Sequence, residues 1–164
     1  MSGAAGAEGF WRFSLMVYAR PGVADALIGL QDQCGRNVNL VLFGLWLGFC
    51  EGRWLNQASL KRAQAAMAPL DREVVTPLRR LRRQLKGNSD PDVAAMRTRM
   101  LGLELAAERR VQARLAASLW RSSRLASGER GVIAEANLRL ILGADGDAPE
   151  ATALRRALAW LFES

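Results

Sequence analysis

Between Val38 and Cys50 the chain carries a single polar side chain, Asn39, and no charge. An apolar run of about 13 residues is too short to cross a bilayer as a helix, which takes about 20, so it reads as a helix buried in a protein core. Leu, Phe and Trp spaced by Gly44 and Gly48 suit a helix better than a β-branched strand. The two glycines lie four apart and share a face on which a neighbouring helix can come close. Gly35 is placed to end the preceding helix and an Asn to cap this one, which predicts a central helix over about 37–52. Asn39, in its first turn, needs partners for its amide; they belong to a tie between helices or to a ligand pocket.

Taken from the start, residues 1–7 read as a flexible tail and 8–164 as one helical domain. A helix over about 8–19 carries Phe10, Phe13, Leu15, Met16 and Val17 as an apolar face that Trp11 and Tyr18 extend. The next opens at Pro21 and repeats Val23, Ala26, Leu27, Leu30 and Cys34. Beyond the central helix Trp54 is expected as a lid on the core, and Asn56 as the cap of a helix over about 57–86 that Pro69 and Pro77 kink or restart. Gly87 to Pro91 forms a turn. It leads into a long helix over about 91–126 with the stripe Val93, Met96, Met100, Leu103, Ala107, Val111, Leu115 and Leu119. So short a loop predicts an antiparallel pair. Two further helices follow, around Val132 to Leu142 and from Pro149 onward, the last with Leu154, Leu158, Leu161 and Phe162 inward. No stretch alternates as a strand does, so the fold is expected to be an all-α bundle of about seven helices around the central one.

The chain has 164 residues, enough for a core without disulfides or a structural metal. Its 23 Lys and Arg outweigh 16 Asp and Glu for a net charge of +7. Gly52 to Lys86 alone holds nine basic and two acidic residues, so the whole excess can be assigned to that segment. Cys34 and Cys50 form no CxxC pair and read as reduced thiols of a cytoplasmic protein. MSGAAGAEGF lacks the basic flank and apolar core of a secretory signal. With no histidine, a His-activated nucleophile, a His-ligated metal and a His proton relay are excluded. Neither GxGxxG nor GxxxxGKS/T occurs. No cofactor or metal is expected.

Trp11, Phe13, Leu15, Tyr18 to Val23, Leu30, Gln31, and then Val38, Asn39, Leu40, Leu42, Phe43 and Trp46 resemble a small proteobacterial family of conserved proteins of unknown function. The likeness is best over residues 10–50 and weaker through PLRRLRRQLK. It implies a bacterial cytosolic helical protein and brings no activity, cofactor or catalytic residue with it.

Three groups of residues are candidates for function. Arg72, Arg79, Arg80, Arg82, Arg83 and Lys86 make a basic face that suits an acidic protein partner. Nucleic acid is the weaker choice, because no aromatic side chain is interleaved to stack on bases. Glu104 and Glu108 lie one turn apart; two carboxylates at that spacing suit a metal in a bundle, but pairing with arginines of the preceding helix explains them more economically. The aromatic residues Trp11, Tyr18, Phe43, Trp46 and Trp54 are core or the wall of an apolar pocket near Asn39, to which Glu104 and Glu108 would belong. The expected function is a non-enzymatic binding or adaptor protein docking an acidic partner on the arginine-rich face. The alternatives are an enzyme or carrier of a small apolar ligand, and non-specific nucleic-acid binding.

Overall fold

A central helix forms where the apolar run predicts one, and its ends are set by side-chain chemistry. The computed structural model describes residues 3–118 and 129–162. The elements in order are α1 (Gly3–Tyr18), α2 (Val23–Cys34), α3 (Val38–Trp46), α4 (Gln57–Leu70), α5 (Thr76–Gln84), α6 (Pro91–Ser118), α7 (Arg130–Leu142), α8 (Pro149–Ala157) and α9 (Ala159–Phe162). All are helical, and the protein is a single all-α domain. No single helix is long and apolar enough to cross a membrane.

Every residue of α3 is buried. Asn37 accepts the Leu40 amide at 3.2 Å as its cap. The helix widens into a π turn over Leu47–Glu51 and stops at Gly52, whose φ of 60° is one that glycine adopts without strain. α7 lies against the two glycines. A Cβ on Gly44 would stand 2.4 Å from Ile141 Cδ1, and one on Gly48 2.3 Å from the backbone of Ala134. The second contact cannot be relieved by a rotamer change. Gly48→Ala is therefore expected to force α3 and α7 apart and to destabilise by about 1–3 kcal/mol, read as a shift in the denaturant midpoint. An unshifted midpoint would show that the two helices do not meet there.

α1 begins at Gly3, so the helix already runs through Ala5 and Ala7 of the expected tail; alanine is the best helix former. Its inward face is Phe10, Phe13, Ser14 and Val17, whereas Leu15 and Met16, expected inward, are exposed. Asn56 caps α4 in a capping box with Ser59. A second π turn, Asp71–Val75, lies between Pro69 and Pro77, where the helical ladder lacks two donors, and divides α4 from α5.

α6 packs along both α4 and α5 and on its other side against α1. Contacts to α5 run in opposite senses, Arg82 meeting Arg97 and Glu104 while Arg79 reaches on to Glu108, so the pair is antiparallel as expected. The expected end of this helix at Ala126, and Leu119 of its stripe, lie outside the described residues. The stripe itself needs correction. Met96 and Leu103 are exposed, and the buried line near the middle of α6 runs through Glu104, Ala107, Val111, Gln112 and Leu115. Ala107, Val111 and Leu115 keep the expected register, while Leu103 gives way to Glu104 because α5 offers arginines there rather than an apolar face.

Candidate functional site

α5 buries none of its residues fully, yet it divides its arginines between two directions. Arg79 and Arg82 turn toward α6. Arg79 Nε donates to Glu104 Oε1 at 3.1 Å, Nη1 to Gln31 Oε1 at 2.5 Å, and Nη2 to Glu108 Oε1. Arg82 Nε donates to Glu104 Oε2 at 2.6 Å and Nη2 to Oε1 at 3.2 Å. The Glu104 side chain is 5% exposed, with Arg79 at 18% and Arg82 at 24%. The two glutamates are thus paired with arginines of the preceding helix.

The pairing sets the carboxyl groups apart. Burial pushes Glu104 up, but the hydrogen bonds from Arg82 and Arg79 and their charges outweigh it, and its pKa lies below the usual carboxylate range. For Glu108 burial prevails over the Arg79 contact and the pKa is raised, with the Glu104 charge adding to the rise. Tyr18 is likewise raised, first by burial and then by Glu108.

These groups line a cleft of about 320 Å³ between α1, α2, α3, α5 and α6. Its polar side also holds Asn39, whose Oδ1 accepts from Gln112 Nε2 at 2.9 Å, and Ser14, 3.2 Å from Gln112 Oε1. Asn39 therefore both ties α3 to α6 and faces the cleft. Its other sides are apolar, with Trp11, Leu15, Ile28, Leu42, Leu101 and Leu105.

The structure brings Asn39, Glu104 and Glu108 together here with Trp11 and Tyr18, and places the other three pocket candidates elsewhere. Phe43 and Trp46 are buried in the core, where Trp46 stacks on both Phe43 and Phe10, the latter with ring centres 5.2 Å apart. Trp54 stands partly exposed and does not line the cleft. Gln112 was readable as a candidate, since Glu104, Glu108 and Gln112 at four-residue steps form a polar line on one face of a helix. Gln31 has no such signal, because it reaches Arg79 from a different helix.

The remaining basic residues face outward. Among the described residues Arg72 pairs with its neighbour Glu73, at 3.5 Å, and Arg83 with Asp32 at 3.2 Å, all of them exposed. Arg80 and Lys86 are exposed and have no ion-pair partner among the described residues. Arg80 and Arg83 share a depression of about 520 Å³ with Arg36, Arg79, Gln31, Gln84 and one acid, Asp71.

Over residues 9–115 the chain matches DUF2390, a family of proteins of unknown function. The chain belongs to this family. The matched DUF2390 segment contains every residue that lines the cleft and the basic depression. No curated protein and no solved structure matches the chain.

Proposed function

We propose that this DUF2390 protein is a non-enzymatic binding protein that docks an acidic protein segment on the outward face of α5. The observation that carries the reading is Arg80, exposed and without an ion-pair partner among the described residues, in a depression it shares with Arg83, where Arg36 is already paired with Asp145. Arg83 and Arg72 add to it cheaply. Their present partners are exposed, and such pairs are worth about 0–1 kcal/mol, so an incoming carboxylate can replace Asp32 or Glu73 at little loss. Arg79 and Arg82 leave the docking set because their carboxylates are already in place. No aromatic side chain lines the depression, which leaves nothing for bases to stack on and favours a protein over a nucleic acid.

The test is fluorescence anisotropy with a labelled oligoglutamate peptide, on the wild type and on a variant with Arg72, Arg80, Arg83 and Lys86 all changed to Gln. A few tenths of a kcal/mol from each contact predicts ~10-fold weaker binding with an unchanged unfolding midpoint. A duplex DNA probe is expected to bind weakly and to be released near ~150 mM salt. Equal peptide binding by both proteins, or DNA binding that survives that salt, would overturn the reading.

A further inference from the structure

We infer that the inner cleft is a second site, one that takes a small uncharged ligand with an apolar body and a head carrying both a hydrogen-bond acceptor and a donor, as a primary carboxamide does. The acceptor of the head is called for by Asn39. This side chain is 4% exposed, and among the described residues its one hydrogen bond is the one Gln112 donates to Oδ1. Its Nδ2 is a donor with no protein partner among the described residues, left to the cleft that Asn39 lines. Its position in the cleft wall gives a ligand carbonyl access to it.

The donor of the head is called for by Glu108. Arg79 engages Oε1, and Oε2 has no hydrogen-bond partner among the described residues. The charge of the head follows from the arginines. Arg79 and Arg82 are answered by Glu104 and Glu108, and Arg83, the third arginine of the wall, by Asp32, so an anion or a cation in the cleft would leave one charge uncompensated. A neutral head meets both free groups without that penalty. The body is set by the walls, where Leu15, Ile28, Leu101 and Leu105 stand exposed around one opening. Four exposed aliphatic side chains around one cleft are unusual on a surface that nothing covers. A volume of about 320 Å³ sits at the small end of ligand pockets, which suits a body of one or two rings.

The experiment is isothermal titration calorimetry of the full chain with naphthamide, compared with naphthoate and naphthylmethylammonium. Saturable one-to-one binding of the amide is expected, with the acid and the amine each ~10-fold or more weaker, as a site with unpaired polar groups discriminates. Asn39→Asp keeps the acceptor for Gln112 but replaces the free donor by an oxygen, and should weaken the amide ~10-fold or more. Leu105→Trp narrows the opening from an exposed position, leaves the core untouched, and should weaken it too; it decides the matter if Asn39→Asp does not fold. The inference is overturned by absence of saturable amide binding, by naphthoate binding as tightly, or by unchanged affinity in either folded variant. Amide affinity that falls as the protein self-associates would also overturn it, since a second copy would then cover the rim.

Discussion

Glu104→Ala is expected to lower the unfolding free energy by roughly 3–5 kcal/mol, the usual effect of removing one member of a buried ion pair. The carboxylate accepts three hydrogen bonds from two guanidinium groups that are themselves mostly buried. Without it Arg79 keeps Glu108 and Gln31, but Arg82 has no carboxylate left among the described residues. Changing Arg82 to Met in the same chain should recover much of the loss, because it removes the orphaned charge; denaturant unfolding of the single and double variants measures this. No recovery would mean that Glu104 acts through packing alone.

The same residue predicts a pH dependence. The folded-state pKa of Glu104 is depressed, so its contribution is present above the ordinary carboxylate range and is lost as pH falls through the folded value. Glu108 is raised and works in the opposite sense, favouring the folded state more at low pH and losing that share as pH rises through its raised value. Glu104→Gln is therefore expected to flatten the acid side of the stability profile. A profile as steep as that of the wild type would assign the acid loss to other carboxylates.

The second large effect is expected at Asn137, which is fully buried in α7. Its Oδ1 accepts from the Leu55 amide at 2.7 Å, while Nδ2 donates to the carbonyls of Gly44 at 3.1 Å and Arg53 at 2.9 Å. One side chain thus serves the backbone of α3 and of the connection to α4. Asn137→Ala leaves a buried N–H without a partner and opens a small void, a loss of roughly 2–5 kcal/mol. Asn137→Asp should be no better, since it keeps the Leu55 bond but sets a carboxylate oxygen against two carbonyls. A denaturant midpoint within error of the wild type for either variant would refute the role. Sequence periodicity places Asn137 on α7 without marking it, because its partners are backbone groups more than 80 residues away.

Local rules carry far in this chain where cause and effect lie within a turn or two. The apolar run with its caps Asn37 and Gly52, the Asn56 capping box, the break between the two prolines and the close packing at Gly44 and Gly48 all follow from neighbouring residues. The pairing of Glu104 and Glu108 with arginines of the preceding helix is legible too, since a short loop between two helices leaves them few other cations. The division of the arginines is not legible. Arg79, Arg80, Arg82 and Arg83 are near-neighbours with the same chemistry, and only the position of α5 over α2 and α6 sends two of them inward and leaves two outside. The same holds for the aromatic residues. Helical spacing brings Phe43 and Trp46 near Asn39, but α1 supplies Phe10 to pack against them, which makes them core and leaves the cleft to Trp11, Tyr18 and the exposed leucines. Sequence by itself determined the helices, their ends and their apolar faces, because those depend on dihedral preference, capping and spacing along one chain. The tertiary structure alone decided which face meets which, and hence where the cleft and the basic depression lie, because that depends on side chains brought together from distant helices.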